Sequence, residues 1–333
     1  MRTLIIAEAG VNHDGSAADA HALVDAAADA GADVVKFQTF RAERLVTATA
    51  ARAAYQVRTT GSDAPQLAML RALELPHEAH VALAAHARDR GIAFASTAFD
   101  CESLDFLATL APPFVKVPSG ELTNLPYLRH VATSGRPVLL STGMATLGDV
   151  EAALDALEQA GCARSLVTLL HCTTEYPAPM ASVNLRALAT LRSAFGTAVG
   201  YSDHTAGIEV PVAAVAVGAT VIEKHLTLDR TRPGPDHAAS LEPGEFAAMV
   251  RAIRNVESAL GDGIKRPSDG ERANARVARR SIVAARTIRA GERLTADALT
   301  TRRPGTGLSP MRWDDVIGRV ATRDYAADEA IEA

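Results

Sequence analysis

Eight short β-rich apolar runs recur along the chain, at positions 4–7, 34–37, 93–96, 114–117, 138–141, 166–171, 198–201 and 220–222. Ala-rich stretches of helical length separate them, and those at 18–30, 78–90, 149–160 and 185–195 carry apolar residues at amphipathic spacing. A strand followed by a helix-length crossover pairs in parallel with the next strand. Eight such units within about 260 residues match the size of a (β/α)8 barrel, with a doubly wound open sheet as the runner-up. The fold class expected is therefore α/β: a TIM barrel followed by a small β-rich module.

The positions of the reactive side chains favour the barrel. Each run finishes in polar residues: Glu8, Lys36 with Gln38, Ser96 with Thr97, Lys116 with Ser119, Ser141 with Thr142, His171, Ser202 with His204, and Glu223 with His225. In a closed barrel these ends share one catalytic face. One or two of them would merely mark loop starts. Lys36 and Lys116 stand inside otherwise apolar runs, and a buried ammonium needs an anionic partner, either a phosphate or carboxylate ligand or a barrel glutamate. Ser96, Thr97, Ser119, Ser141 and Ser202 could add hydroxyl donors, or cap the helices that follow.

His204 and His225 end two runs separated by one helical crossover, 206–218. Neighbouring strands lie about 5 Å apart, so the two imidazoles could share a metal ion. Equally, they could serve only as hydrogen-bonding groups at loop starts. Segment 41–75 is longer than an ordinary βα loop and reads either as a lid, with Arg44, Tyr55, Gln56 and Arg58 available to a ligand, or as a surface excursion.

After the eighth run, 242–260 has helical periodicity, and Gly261 follows as its C-terminal cap. The barrel is expected to span 1–262. The polar, Gly- and Arg-rich stretch 263–278 reads as a linker, and 279–333 as a short-stranded module too small to be robust alone. A net charge of −5 and a pI near 6.1 create no field favouring nucleic acid or an anionic membrane, so an anionic substrate must be held by local groups. Three cysteines, Cys101, Cys162 and Cys172, lack metal or redox spacing and fit a reduced cytoplasm. The N-terminal apolar run is too short for a signal peptide or a membrane span.

Longer motifs carry a family resemblance. A-E-A-G-V-N-H-D-G-S, V-K-F-Q-T-F, V-K-V-P-S-G-E-L-T-N-L-P-Y-L, S-T-G-M-A-T, L-L-H-C-T-T-E-Y-P-A-P, G-Y-S-D-H-T, I-E-K-H-L-T-L-D and G-P-D-H-A-A-S-L-E-P resemble the bacterial N-acetylneuraminate (sialic acid) synthases. The tail, with T-T-R-R-P-G-T-G-L-S-P-M-R-W, resembles their antifreeze-like, or SAF, domain. The resemblance implies condensation of phosphoenolpyruvate with N-acetylmannosamine and release of phosphate. The alternative is a related nonulosonic acid, diacetyllegionaminate or pseudaminate, made from a di-N-acetylated deoxyhexose. It further implies a divalent metal, manganese first and magnesium or cobalt as alternatives, on His204 and His225. Lys36, Lys116, Ser119, Ser141, Ser202 and Thr97 would hold phosphoenolpyruvate, and Glu8, Gln38, Tyr176 and Asp236 the sugar. Glu121 would be the acid/base, with Glu8 also carried as catalytic, and Arg303 would reach the sugar site of the partner in a domain-swapped homodimer. Thr173 and Thr174 stand where some members have Asn, which leaves that contact open.

Overall fold

The computed structural model describes residues 2–332. Eight parallel strands close into a barrel: β1 (Leu4–Gly10), β2 (Val34–Thr39), β3 (Ala93–Ala98), β4 (Val115–Val117), β5 (Val138–Ser141), β6 (Val167–Cys172), β7 (Ala198–Asp203) and β8 (Val221–His225). β1 pairs with both β2 and β8, which completes the cylinder. The four helices expected from periodicity form at Ala17–Asp29, His77–Asp89, Leu147–Gln159 and Ala187–Phe195, and the 206–218 crossover holds the helix Glu209–Ala216. The closed sheet rules out the doubly wound alternative.

The inside of the cylinder is layered by the two-residue period of a strand. Ile6, Val34, Ala95, Phe114, Leu139, Leu170 and Val221 pack together as an apolar plug. Two residues further along the same strands come Glu8, Lys36, Thr97, Lys116, Ser141, Cys172 and Glu223, which line a cavity above it. The polar layer is thus a direct consequence of sequence parity on a closed sheet. Residues of the opposite parity leave the lumen. Ser96 shares a 2.7 Å hydrogen bond with Thr39, the Thr142 hydroxyl donates to the Leu170 carbonyl, and His171 Nε2 lies 2.7 Å from the Val183 carbonyl. For Ser96 the expected role as a ligand donor is therefore corrected: its oxygen faces Thr39.

Outward parity also produces the most deeply buried ion pair. Asp203 and Lys224, both fully buried, meet at 2.6 Å between β7 and β8. Lys224 also donates to the Thr205 carbonyl, while Thr205 donates its N–H and hydroxyl to Asp203. The pair ties together two strands immediately beside His204 and His225.

Segment 41–75 is folded into three short helices, Ala42–Leu45, Ala54–Thr60 and Gln66–Leu73. Ala42, Met69, Leu70 and Leu73 form a small apolar cluster with Val11 and Phe40, and the segment also lines the cavity. Arg44 instead pairs with Glu102, and Arg58 is exposed. The helix Pro243–Leu260 ends at Gly261, where φ is +62°.

A second compact unit begins at Asp262. It contains β9 (Ser281–Ala284) antiparallel to β10 (Leu299–Arg302), and a core of Ile282, Ile288, Leu294, Val316, Tyr325 and Ile331. The stretch expected as a linker holds a helix, Asp269–Ala278. Ser268 and Glu271 form a reciprocal capping box that starts this helix, although it buries none of its residues.

Replacing Lys224 by Met strands the Asp203 carboxylate in the core. Urea unfolding should show a loss of about 3–5 kcal/mol. The double replacement Asp203→Leu with Lys224→Met should recover part of that loss, and a single variant as stable as wild type would contradict the account.

Candidate active site

The cavity at the C-terminal ends of the strands has a volume of about 480 Å³. Its floor is a chain of buried charges. Lys36 Nζ lies 2.5 Å from Glu8 Oε2 and 3.5 Å from Glu223 Oε2, and donates to Thr97 Oγ1 at 2.7 Å. Lys116 Nζ lies 3.4 Å from Glu223 Oε1, which also accepts from the Ser202 hydroxyl at 2.8 Å. Gln38 donates to Glu8 Oε1 at 3.2 Å. The lysines thus have barrel glutamates as partners and also face open space, so both sequence readings of them find geometric expression. Glu223, one of the polar strand ends but given no role from the sequence, bridges the two lysines. Its inward parity on V-I-E-K-H was the available signal.

The carboxyls of this chain are pushed apart. Burial is the largest influence on Glu223 and acts upward, but Lys116 and Lys36, with the Ser202 hydrogen bond, hold it well below the usual carboxylate range. Glu8 is raised by burial and by the charge of Glu223, against the pull of Lys36. Asp236 is raised to about 7 by burial and the charge of Glu8. For Lys36, burial acts downward but Glu223 and Glu8 outweigh it, so the ammonium stays protonated. A protonated, doubly paired amine is a poor Schiff-base nucleophile.

His204 and His225 come together with ring centroids 5.4 Å apart. Burial lowers both, and His225 further through its neighbour His204, so both imidazoles are neutral. His204 Nδ1 donates to the Thr173 carbonyl at 2.6 Å, which leaves a lone pair on Nε2. His225 Nδ1 is buried without a hydrogen-bond partner and lies 3.9 Å from Asp236 Oδ2. Two neutral imidazoles with free nitrogen lone pairs suit a divalent cation. No group of three or more His, Cys, Asp or Glu donors gathers among the described residues, so the cation reading stands on the imidazole pair.

Ser141 Oγ is another buried atom without a partner, and it too faces the cavity. Ser119 Oγ accepts from Gly143 N–H at 3.0 Å and lies 3.2 Å from Cys172 Sγ. A Cβ at Gly143 would meet Thr174 Cγ2 at 2.6 Å and Ser119 Oγ at 2.7 Å, so a larger residue would displace these cavity side chains. Gly10, at φ +53°, would push a Cβ to 3.2 Å from Glu8 Oε1 and 3.3 Å from Gln38 Nε2. Above the floor, Tyr176 packs 4.2 Å from the His204 ring and stacks on Tyr55 at 4.9 Å. Thr174 joins the lining, and Thr173 acts through its carbonyl.

Glu121 does not belong to this arrangement. The short turn Ser119–Glu121 brings Ser119 and Gly120 to the cavity, whereas the Glu121 carboxylate accepts from Asn124 Nδ2 at 2.6 Å, beside the cap of the next helix. The acid/base role that the resemblance implied for it has no cavity contact behind it in this structure. Arg303 is exposed in the second unit.

Comparison with known proteins gives a consistent set of likenesses. Residues 23–265 match the model of the NeuB family, and residues 279–333 that of the SAF domain. The N,N'-diacetyllegionaminic acid synthase of Campylobacter jejuni is 51% identical, covering 99% of this chain and 99% of its own. That of Legionella pneumophila is 46% identical, covering 98% and 92%. The crystal structure of an N-acetylneuraminic acid (sialic acid) synthetase from Leptospira borgpetersenii in complex with citrate superposes with a TM-score of 0.71 at 33% identity, covering 82% of this chain and 90% of that one.

Calorimetric titration with Mn2+ checks the imidazole pair. Either His204→Ala or His225→Ala should weaken binding at least about 10–100-fold, the loss typical of removing even a supporting hydrogen bond. Unchanged affinity in either variant would remove the pair as a cation site.

Proposed function

This chain belongs to the NeuB family of sialic acid synthases, and from that membership we propose that it condenses phosphoenolpyruvate with a di-N-acetylated deoxyhexose, giving N,N'-diacetyllegionaminate and phosphate. The reaction reading rests on one observation: two buried lysines and an unpartnered serine share a cavity with two neutral imidazoles. The sugar reading rests on the relatives. N-acetylmannosamine, expected from the motifs, gives way because the 51% and 46% identical proteins are diacetyllegionaminic acid synthases, whereas the sialic acid synthetase is 33% identical.

A divalent cation, manganese by preference, supplies Lewis-acid polarisation of the sugar aldehyde when bound at His204 and His225. Lys36 and Lys116 draw the phosphate and carboxylate of phosphoenolpyruvate onto the floor, where Thr97, Ser119, Ser141 and Ser202 offer hydroxyls. Gln38 and Tyr176 hold the open-chain sugar with its aldehyde carbon toward carbon 3 of phosphoenolpyruvate. The new carbon–carbon bond forms between them, water adds to the former enol carbon, and that tetrahedral carbon expels phosphate by C–O cleavage. Three protons move: one leaves the attacking water, one reaches the former aldehyde oxygen, and the hydroxyl of the tetrahedral carbon gives up its proton to the departing phosphate as the keto group forms. Glu8, beside Lys36, and Asp236, beside His225, are the cavity carboxyls placed to carry them. Glu223 stays ionised and fixes the spacing of the lysines. Arg303 is assigned to the sugar side of a partner subunit in a domain-swapped homodimer.

Phosphate release with Mn2+ and phosphoenolpyruvate decides the sugar. The di-N-acetylated deoxyhexose should exceed N-acetylmannosamine in kcat/KM by at least about 10-fold, the scale of one or two apolar groups in a fitted pocket; the reverse order would contradict the proposal. Arg303→Ala should raise KM for the sugar and leave KM for phosphoenolpyruvate within about 2-fold, since losing one charge-assisted hydrogen bond affects only the ligand it touches. An equal rise for both would remove Arg303 from the sugar side.

A further inference from the structure

The active-site cavity has two chemically unlike halves. Its floor is charged, as described. A second part of the lining, a wall, is made by the excursion between β2 and β3, where Leu45, Val46, Met69, Leu70 and Leu73 line the cavity together with Val11. Four of these six belong to the small apolar cluster that also holds Phe40 and Ala42, so the wall is backed by packing of its own. The aromatic stack runs from the imidazoles to this wall. Tyr176 lies 4.2 Å from His204, and Tyr55, on the excursion's second helix, stacks on Tyr176 at 4.9 Å.

The wall carries few polar groups, and Gln56 is the best satisfied of them. Gln56 Oε1 accepts from the Ala53 N–H at 3.0 Å, and its Nε2 is directed to the Tyr55 hydroxyl at 3.4 Å. Gln66 Nε2 lies 3.5 Å from Gln56 Oε1, and Arg44 is paired with Glu102. A hydroxyl group placed against this surface exchanges water for few partners, whereas a methyl group gains burial.

With its aldehyde at the imidazoles and phosphoenolpyruvate on the lysines, the sugar extends its far end away from the floor. In a di-N-acetylated deoxyhexose that end carries a C-methyl and a second acetamido methyl. In N-acetylmannosamine it carries hydroxyls. Resting on the sugar reading above, we infer that the wall of Leu45, Val46, Met69 and Leu70 is the specificity-determining surface, selecting a deoxygenated, N-acylated far end over a hydroxylated one. The excursion thus has a function separate from the chemistry: the floor sets the reaction, and the wall sets which nonulosonic acid is made.

Leu45 and Val46 are half-buried, so they can be changed without opening the core. Val46→Thr exchanges a methyl for a hydroxyl at constant volume, and Leu45→Gln makes its neighbour polar. In the full-length Mn2+-loaded enzyme at saturating phosphoenolpyruvate, the ratio of kcat/KM for the two sugars is measured in wild type, in the double variant and in Leu45→Met. The double variant should lower the preference for the di-N-acetylated sugar by about 10-fold, mainly through a higher KM for that sugar, and Leu45→Met should retain it. A wild-type preference that survives the double substitution would overturn the wall and leave the sugar reading intact. A wild-type preference for N-acetylmannosamine would overturn the sugar reading and the wall with it.

Discussion

The buried sequence of charges Glu8, Lys36, Glu223 and Lys116 is the constraint around which the rest of the barrel is arranged. Each of the four side chains is nearly sealed from solvent. Isolated, any one of them would cost several kcal/mol to bury. Alternation of sign along the row, with Ser202, Thr97 and Gln38 at its flanks, makes the arrangement tolerable. The row is electrically balanced only while it is empty, so an incoming phosphate or carboxylate competes with the glutamates for the same ammonium groups. Raised proton affinity at Glu8 offers the compensating adjustment, because a neutral carboxyl no longer competes for Lys36.

Such a row can be held only by a rigid frame. The apolar plug beneath it fixes the depth of the layer, and the closed sheet fixes its circumference. On the outer face, Lys224 and Asp203 lock β7 to β8 one residue from each imidazole. Charge inside and charge outside these two strands thus perform different tasks: the inward set meets ligands, and the outward pair keeps the inward set in register. The excursion between β2 and β3 completes the enclosure with a surface of opposite character.

Much of this was legible in the residues alone, because parity on a strand is a two-state choice. Once eight apolar runs close into a barrel, Lys36, Ser141 and His225 have to point inward. The same rule sends Ser96 outward to Thr39, and it could have been applied to exclude that residue. Glu121 was harder, since it follows a short strand by way of a tight turn, where parity no longer holds. The 269–278 helix was hidden by its composition: it has no apolar face, and its only local signal is the capping box begun by Ser268. The wall was illegible for another reason. Its apolar residues come from three short helices whose packing on Val11 and Phe40 depends on tertiary structure.

The central claim, that one rim of the barrel gathers a cation site and an anion site for a shared reaction, is tested most directly by a crystal structure soaked with Mn2+ and phosphoenolpyruvate. The account predicts the ion at about 2 Å from a ring nitrogen of both His204 and His225, with phosphate and carboxylate oxygens within hydrogen-bond distance of Lys36 and Lys116. Density for the ion away from the two imidazoles, or for phosphoenolpyruvate away from both lysines, would contradict it.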